Sequence, residues 1–145
     1  MNVIFFEDHR ALNLEPISLT RAVFDIRCGA KTFIERVKKL DSIDISALVV
    51  RDELIGVTRD NHPGTSVNPD RFDDGIWLNG SVLWSSALIE EIRSTPGTGF
   101  FNDEDMIALN LPSKTIDHWM SNGGPLSMKT PKGIIKKKLK VKKAN

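Results

Sequence analysis

The sequence contains a single cysteine, Cys28, among 145 residues. One cysteine cannot form a disulfide within the chain, and no cysteines or histidines occur at zinc-ligand spacing. No apolar run approaches the roughly 20 residues that cross a bilayer. The first eight residues also lack the basic start and long apolar stretch of a signal peptide. We therefore expect a cytoplasmic protein without a membrane segment, and we predict no metal ligands from these residues.

Common signatures of catalysis are also missing. No serine stands in a Gly-x-Ser-x-Gly context, which argues against a serine hydrolase of that type. The segment Gly29-Ala30-Lys31-Thr32 lacks the earlier glycine that a phosphate-binding P-loop requires. The consecutive polar residues Glu7-Asp8-His9 favour a polar loop over a cluster of metal ligands.

Acidic residues are absent from the last 17 residues, 129–145, which hold eight lysines. The first 128 residues carry 12 basic and 19 acidic side chains, a formal charge of −7. A lysine-rich segment attracts polyanions, but this one lacks aromatic residues to stack on bases and arginines to recognise them. We therefore expect a domain over 1–128, ending near Gly123-Gly124-Pro125, and a flexible tail over 129–145. A nucleic-acid module that uses this tail is the less favoured alternative.

Hydrophobic residues make up 40 % and charged residues 27 % of the chain, as in an ordinary globular domain. Strand and helix signals alternate along it. We expect strands at 2–6, 45–50 and 75–78, a hairpin from 100–101 and 106–109, and mostly connection over 52–74. We expect helices at about 30–40, after Ser85 or Ser86, and from Ser113. This order predicts an α/β fold with a doubly wound, mostly parallel sheet and a ligand at the carboxyl ends of its strands.

Two motifs stand out from this background. The first is Pro16-Ile17-Ser18-Leu19-Thr20-Arg21, followed at a short distance by Gly29-Ala30-Lys31-Thr32-Phe33-Ile34. The second is Asn79-Gly80-Ser81-Val82-Leu83, at the end of a predicted strand. The first motif resembles the signature of sugar nucleotidyltransferases, and the second resembles the strand end of the same family. With Asp8 and Arg10, the pattern is most similar to a divergent branch in which such a domain precedes an acyltransferase.

The resemblance implies a reaction of a nucleoside triphosphate with a sugar 1-phosphate, giving a nucleotide sugar and pyrophosphate. It also implies magnesium as cofactor and a role in cell envelope biosynthesis. Arginine is permanently charged and can bind two phosphate oxygens at once. The candidate site residues are Arg21 as the catalytic residue, Arg10 and Arg27 as phosphate ligands, Lys31 as a further charge, and Asn79 as a contact to base or sugar. A helix starting near Ala30 would add free N–H groups facing the anion.

Alternatives remain open at this point. The loop arginines could pair with the neighbouring acids instead, which are Glu7, Asp8, Glu15 and Asp25. The glycine-rich loop and the lysine of the mainstream family are missing, and Ser81 stands where that family has its magnesium-binding aspartate. The chain could therefore be the front half of a truncated enzyme. It could also be a noncatalytic assembly or regulatory module that keeps the fold and uses its apolar surface to bind a partner or itself, in the latter case as a homo-oligomer.

Overall fold

The computed structural model describes residues 2–9, 21–40, 43–127 and 129–141. The strands are β1 (Asn2–Phe6), β2 (Arg27–Cys28), β3 (Lys31–Thr32), β4 (Asp44–Val49), β5 (Ser66–Val67), β6 (Ile76–Asn79), β7 (Thr98–Asn102), β8 (Asp105–Asn110) and β9 (Ile135–Lys138). The helices are α1 (Phe33–Lys38), α2 (Ile55–Asn61), α3 (Ser86–Arg93) and α4 (Ser113–Ser121). Short 3-10 turns lie at Val23–Asp25, Asp52–Leu54 and Gly124–Leu126. None of these helices is long and apolar enough to cross a membrane.

Seven strands form one sheet in the order β5-β4-β1-β6-β8-β7-β9. The four strands from β5 to β6 are parallel, β8 is antiparallel to both of its neighbours, and β9 is parallel to β7. The strands β2 and β3 form a separate small hairpin. The prediction of an α/β fold with a mostly parallel sheet is confirmed.

Helices cover both faces of this sheet. Side chains alternate along β1, so Val3 and Phe5 enter one core while Ile4 and Phe6 enter the other. The first core receives the buried residues of α1 and α3, which are Phe33, Ile34, Val37, Ile89 and Ile92. The second core receives α4 through Trp119, whose ring lies 5.6 Å from that of Trp77 on β6. The central strands β1 and β6 are therefore buried on both sides, as their apolar sequences predict.

Residues 52–74, expected to be mostly connection, contain α2 and β5. Helix α2 has seven residues and includes glycine and β-branched side chains, which are weak helix formers. Its position depends on packing: Leu54 is buried in the first core, and Ile55 and Val57 pack against that core. Local sequence signals were therefore too weak to predict it.

The lysine-rich segment also differs from the expected flexible tail, because Ile135–Lys138 forms the edge strand β9. A Cβ atom on Gly99 of β7 would lie 2.7 Å from Ile134 Cδ1, so the missing side chain lets the segment approach β7 closely. Beyond the strand, Leu139 and Val141 pack against the first core. The sheet therefore extends past the domain boundary that the composition suggested at residue 128.

Candidate active site

The parallel strands contain one point at which their order reverses. From β1 the chain moves outward to β4 and then β5, and it returns to place β6 on the opposite side of β1. Connections that leave in opposite directions open a crevice at the carboxyl ends of the two central strands. The residues that follow β1 and β6 at this crevice are Glu7, Asp8, Gly80 and Ser81.

Asn79, the last residue of β6, joins the two strand ends. Its side-chain amide donates to Asp8 Oδ2 at 2.9 Å and to the Met106 carbonyl at 3.2 Å. Its Oδ1 accepts from the Ser81 backbone N–H at 3.0 Å and from the Ser81 hydroxyl at 2.7 Å. Asn79 is 1 % exposed, so this amide acts on its protein neighbours and orients the Asp8 carboxylate.

A hollow of about 270 Å³ opens beside Asp8. Its other lining residues are mostly polar and come from four segments: His9, Glu104, Asp105, Met106, Pro125, Ser127, Lys129 and Thr130. Pro125 also lines a second hollow of about 210 Å³ at the ends of β4 and β5. The turn Gly124–Leu126 thus borders both spaces at the carboxyl edge of the sheet, where a ligand was expected.

Glu7 and Asp8 lie in the loop after β1, as the sequence predicts, but this part of the loop is buried. Glu7 is fully buried and Asp8 is 9 % exposed. The Glu7 carboxylate forms an ion pair with Arg51, with 2.9 Å between Oε1 and Nε. The sequence offered no signal for this pair, because its partners are 44 residues apart.

Two of the candidate residues from the sequence lie at this edge. Asn79 is at the crevice itself, as described above. Arg21 is exposed, and its backbone carbonyl lies 3.5 Å from Arg51 Nη2, next to the Glu7 ion pair. Arg10 lies outside the described residues.

Two other candidates belong to the β2–β3 hairpin. Arg27 is exposed and donates to the Ala30 carbonyl at 2.8 Å. Lys31 has a lowered pKa, chiefly because its side chain contacts that of Lys39 and then because of partial desolvation. The pKa of the nearby Glu35 is also lowered, first by its hydrogen bonds with Thr32.

The helix N-terminus differs from the predicted anion site. Helix α1 begins at Phe33 rather than near Ala30 and has six residues. A capping box closes it: the Thr32 hydroxyl accepts from the Glu35 N–H, and the Glu35 carboxylate accepts from the Thr32 N–H. The amide of Glu35 therefore already has a protein partner.

The alternative of local ion pairs between loop arginines and acids fails for two of the four acids. Glu7 pairs with Arg51, and Asp25 Oδ1 lies 2.7 Å from His62 Nε2. Glu15 lies outside the described residues. Within the part of the chain that the structure describes, the Arg21 guanidinium has no ion-pair partner.

A family model described as sugar nucleotidyl transferase matches residues 3–136. The chain belongs to this family. The match runs from β1 into β9, so it includes both strand ends of the crevice and the first part of the lysine-rich segment. The comparisons with curated proteins and with solved structures gave no match. Family membership supports a transferase of the nucleotidyltransferase type acting on nucleotides and sugar phosphates.

Proposed function

We propose that the protein transfers a nucleotidyl group from a nucleoside triphosphate to a sugar 1-phosphate, releasing pyrophosphate. The observation that carries this proposal is the contact between Asp8 and Asn79 at the point where the strand order reverses, beside a polar hollow. In such a reaction a sugar phosphate oxygen attacks the α-phosphorus, and the site must stabilise several negative oxygens.

Positive charge for these oxygens would come from the arginines. We propose Arg21 as the catalytic residue, because its exposed side chain extends from a backbone held beside Glu7 and Arg51. Arg10 and Arg27 would hold further phosphate oxygens, with Lys31 as an additional charge. Asn79 would act on the base or sugar mainly through the carboxylate that it orients, since its own amide is engaged by protein groups.

The crevice fits a magnesium ion held by one carboxylate together with the phosphates of the substrate. The described residues contain no group of three or more histidine, cysteine, aspartate or glutamate side chains placed to hold a metal ion. Magnesium in phosphoryl-transfer sites often binds one or two carboxylates, with substrate phosphates completing the shell. Asp8 is the carboxylate that would serve here, whereas the Ser81 hydroxyl donates to Asn79. When bound, the ion would neutralise charge on the phosphates.

The proposal extends to the branch of the family and to the use of the product. We propose that the chain corresponds to the nucleotide-binding part of the divergent branch, which precedes an acyltransferase. The product would serve cell envelope biosynthesis in the cytoplasm, where nucleoside triphosphates are supplied. Self-association is compatible with this role.

A noncatalytic assembly or regulatory module is the second candidate. Two observations favour it: the capping box closes α1, and protein groups occupy the Asn79 amide. Such a module would keep the fold and bind a nucleotide or a partner without turnover.

The decisive experiment combines binding with turnover. We expect UTP, dTTP, ATP, GTP or CTP with magnesium to raise the melting temperature, and Arg21→Ala to abolish the rise. Pyrophosphate release is then measured with a panel of sugar 1-phosphates. Asp8→Asn should lower it by at least about 10–100-fold, the loss typical of groups that only support a metal ligand, because Asp8 would be the ligand itself. The matched control is Asp117→Asn, at an exposed position on α4.

The outcomes separate the candidates. No thermal shift with any of the five nucleotides contradicts the nucleotide proposal altogether. A shift without pyrophosphate release supports the module. Equal release by the Asp8 and Asp117 variants would remove Asp8 from the site.

A further inference from the structure

The carboxylate of Glu7 is held without access to solvent. Glu7 follows β1 directly, is 0 % exposed, and its backbone N–H donates to the Val49 carbonyl at the end of β4. Its Oε1 accepts from the backbone N–H and from Nε of Arg51, both at 2.9 Å. Its Oε2 accepts from the Val23 N–H at 3.1 Å. A buried carboxylate requires such partners, because an unpaired one is strongly destabilising.

These bonds connect three segments that meet at the crevice. They join the end of β1, the end of β4 and the turn at Val23–Asp25. Arg51 extends the connection, since its Nη2 lies 3.5 Å from the Arg21 carbonyl. Glu7 therefore accepts a hydrogen bond from the Val23 N–H, and its partner Arg51 approaches the Arg21 carbonyl. The pair thus holds the backbone on both sides of Ala22.

We propose that Glu7 and Arg51 form a positioning pair that holds Arg21 at the crevice. This rests on the proposed function, in which Arg21 binds the polyphosphate. Because the Glu7 side chain is inaccessible, it touches no ligand and acts only through the Arg21–Val23 backbone. The pair thereby makes phosphate binding depend on a residue that the substrate never reaches.

Glutamine is an informative replacement for Glu7. It has nearly the same shape but offers one acceptor oxygen and one NH2 group. Arg51 donates two of the three hydrogen bonds, so the glutamine oxygen should stay with Arg51 and the NH2 group should face the Val23 N–H. Glu7→Gln should release one side of the connection while leaving the shape of the core unchanged. Glu53→Gln, at an exposed position in the next turn, is the matched control.

The test has a structural arm that requires no substrate. Amide hydrogen exchange is measured by NMR on the full chain, comparing Val23 with core amides of β1 and β4. We expect the protection of Val23 to fall about tenfold or more in Glu7→Gln, the size expected for losing a bond to a charged group. The Glu53→Gln control should leave it unchanged. Unchanged Val23 protection in Glu7→Gln overturns the proposal.

The second arm uses the nucleotide that gives the largest thermal shift. We expect Glu7→Gln to raise the KM for that nucleotide in the wild-type background. When Arg21 is already alanine, Glu7→Gln should change the residual kcat/KM by less than about twofold, as for residues that act as one unit. If the effects of Glu7→Gln and Arg21→Ala multiply in the double variant, the two residues act independently and the proposed coupling is contradicted. Arg51→Lys retains a positive charge but lacks the Nη2 group that approaches Arg21, so it should raise KM while the chain stays folded.

The two hypotheses fail in different ways. If the wild-type protein binds no nucleotide, the proposed function fails, and the hydrogen-exchange arm still decides whether Glu7 holds the Arg21–Val23 backbone. If Glu7→Gln does not fold, Arg51→Lys supplies the same exchange and KM measurements. Normal exchange at Val23 together with a normal KM in that variant would overturn the positioning role.

Discussion

Gly80 offers a test of how tightly the crevice is built. Its N–H donates to the Phe6 carbonyl at 2.7 Å, which fixes its backbone against β1. A Cβ atom added there would lie 2.7 Å from Phe24 Cβ and 2.8 Å from Phe24 Cδ2. Phe24 cannot easily withdraw, because it is fully buried and packs against Phe5 and His62 with ring centroids 6.1 and 6.2 Å away. Gly80→Ala should therefore force a shift of the backbone or of Phe24.

Overpacking of this kind costs about 1–3 kcal/mol of unfolding free energy. For a chain of this size the melting temperature should fall by about 2–12 °C. The control is Gly56→Ala in α2, where an added Cβ meets no atom within 4 Å. Because alanine favours the helix and restricts the unfolded chain, that variant should gain about 0.5–1 kcal/mol. Urea unfolding measures both changes. A Gly80→Ala protein as stable as the wild type, or losses of equal size in both variants, would refute the packing argument.

Two further predictions concern titrating groups near α1. Thr32→Ala should raise the lowered pKa of Glu35 toward its ordinary value, because the hydrogen bond with the Thr32 side chain is the first cause of the shift. A carboxyl group whose pKa is lowered on folding stabilises the fold at pH values above its pKa in the unfolded state, and this contribution is lost as the pH falls. The difference in unfolding free energy between wild type and variant, measured by urea unfolding, should therefore be smaller at pH 3 than at pH 7. A larger difference at pH 3 would contradict the prediction. Lys39→Met should raise the pKa of Lys31 toward its usual value, since contact with Lys39 is the first cause of its lowering. NMR titration of the Lys31 side chain measures this, with Lys114→Met as the unaffected control, and an unchanged Lys31 titration would refute the contact.

Much of the fold was predictable because its signals are local. Strand β1 occupies Asn2–Phe6 as expected, and α4 begins at Ser113. Of the two serines predicted as the cap of α3, Ser85 and Ser86, the cap is Ser85, whose hydroxyl accepts from the Leu88 N–H. Apolar runs and caps act over a few residues, so they can be recognised without knowing what packs against them.

Strand β9 shows where this approach stops. Its four residues, Ile135–Lys138, are all exposed, and three are lysines. Lysine is a weak strand former, so composition favoured a tail. The strand forms because β7 offers a free edge and because Gly99 leaves space for Ile134. Both features belong to β7, which lies more than 30 residues before β9 in the chain.

The candidate site divides in the same manner. The motifs predicted Arg21 and Asn79 as site residues, and they indicated the family to which the chain belongs. They did not reveal the ion pair of Arg51, because its partner Glu7 lies 44 residues away in the chain. They also gave no sign that Glu7 is buried, because its burial depends on its distant partner Arg51.

The amino-acid sequence by itself determined which segments become buried strands, where α3 and α4 begin, and which family the chain resembles. Only the tertiary structure decided that the ends of β1 and β6 lie side by side, that Asn79 orients Asp8, and that Glu7 is buried against Arg51. The physical reason is that hydrophobic periodicity is a property of neighbouring residues. The burial of a charge, in contrast, depends on partners that chain topology brings from distant positions.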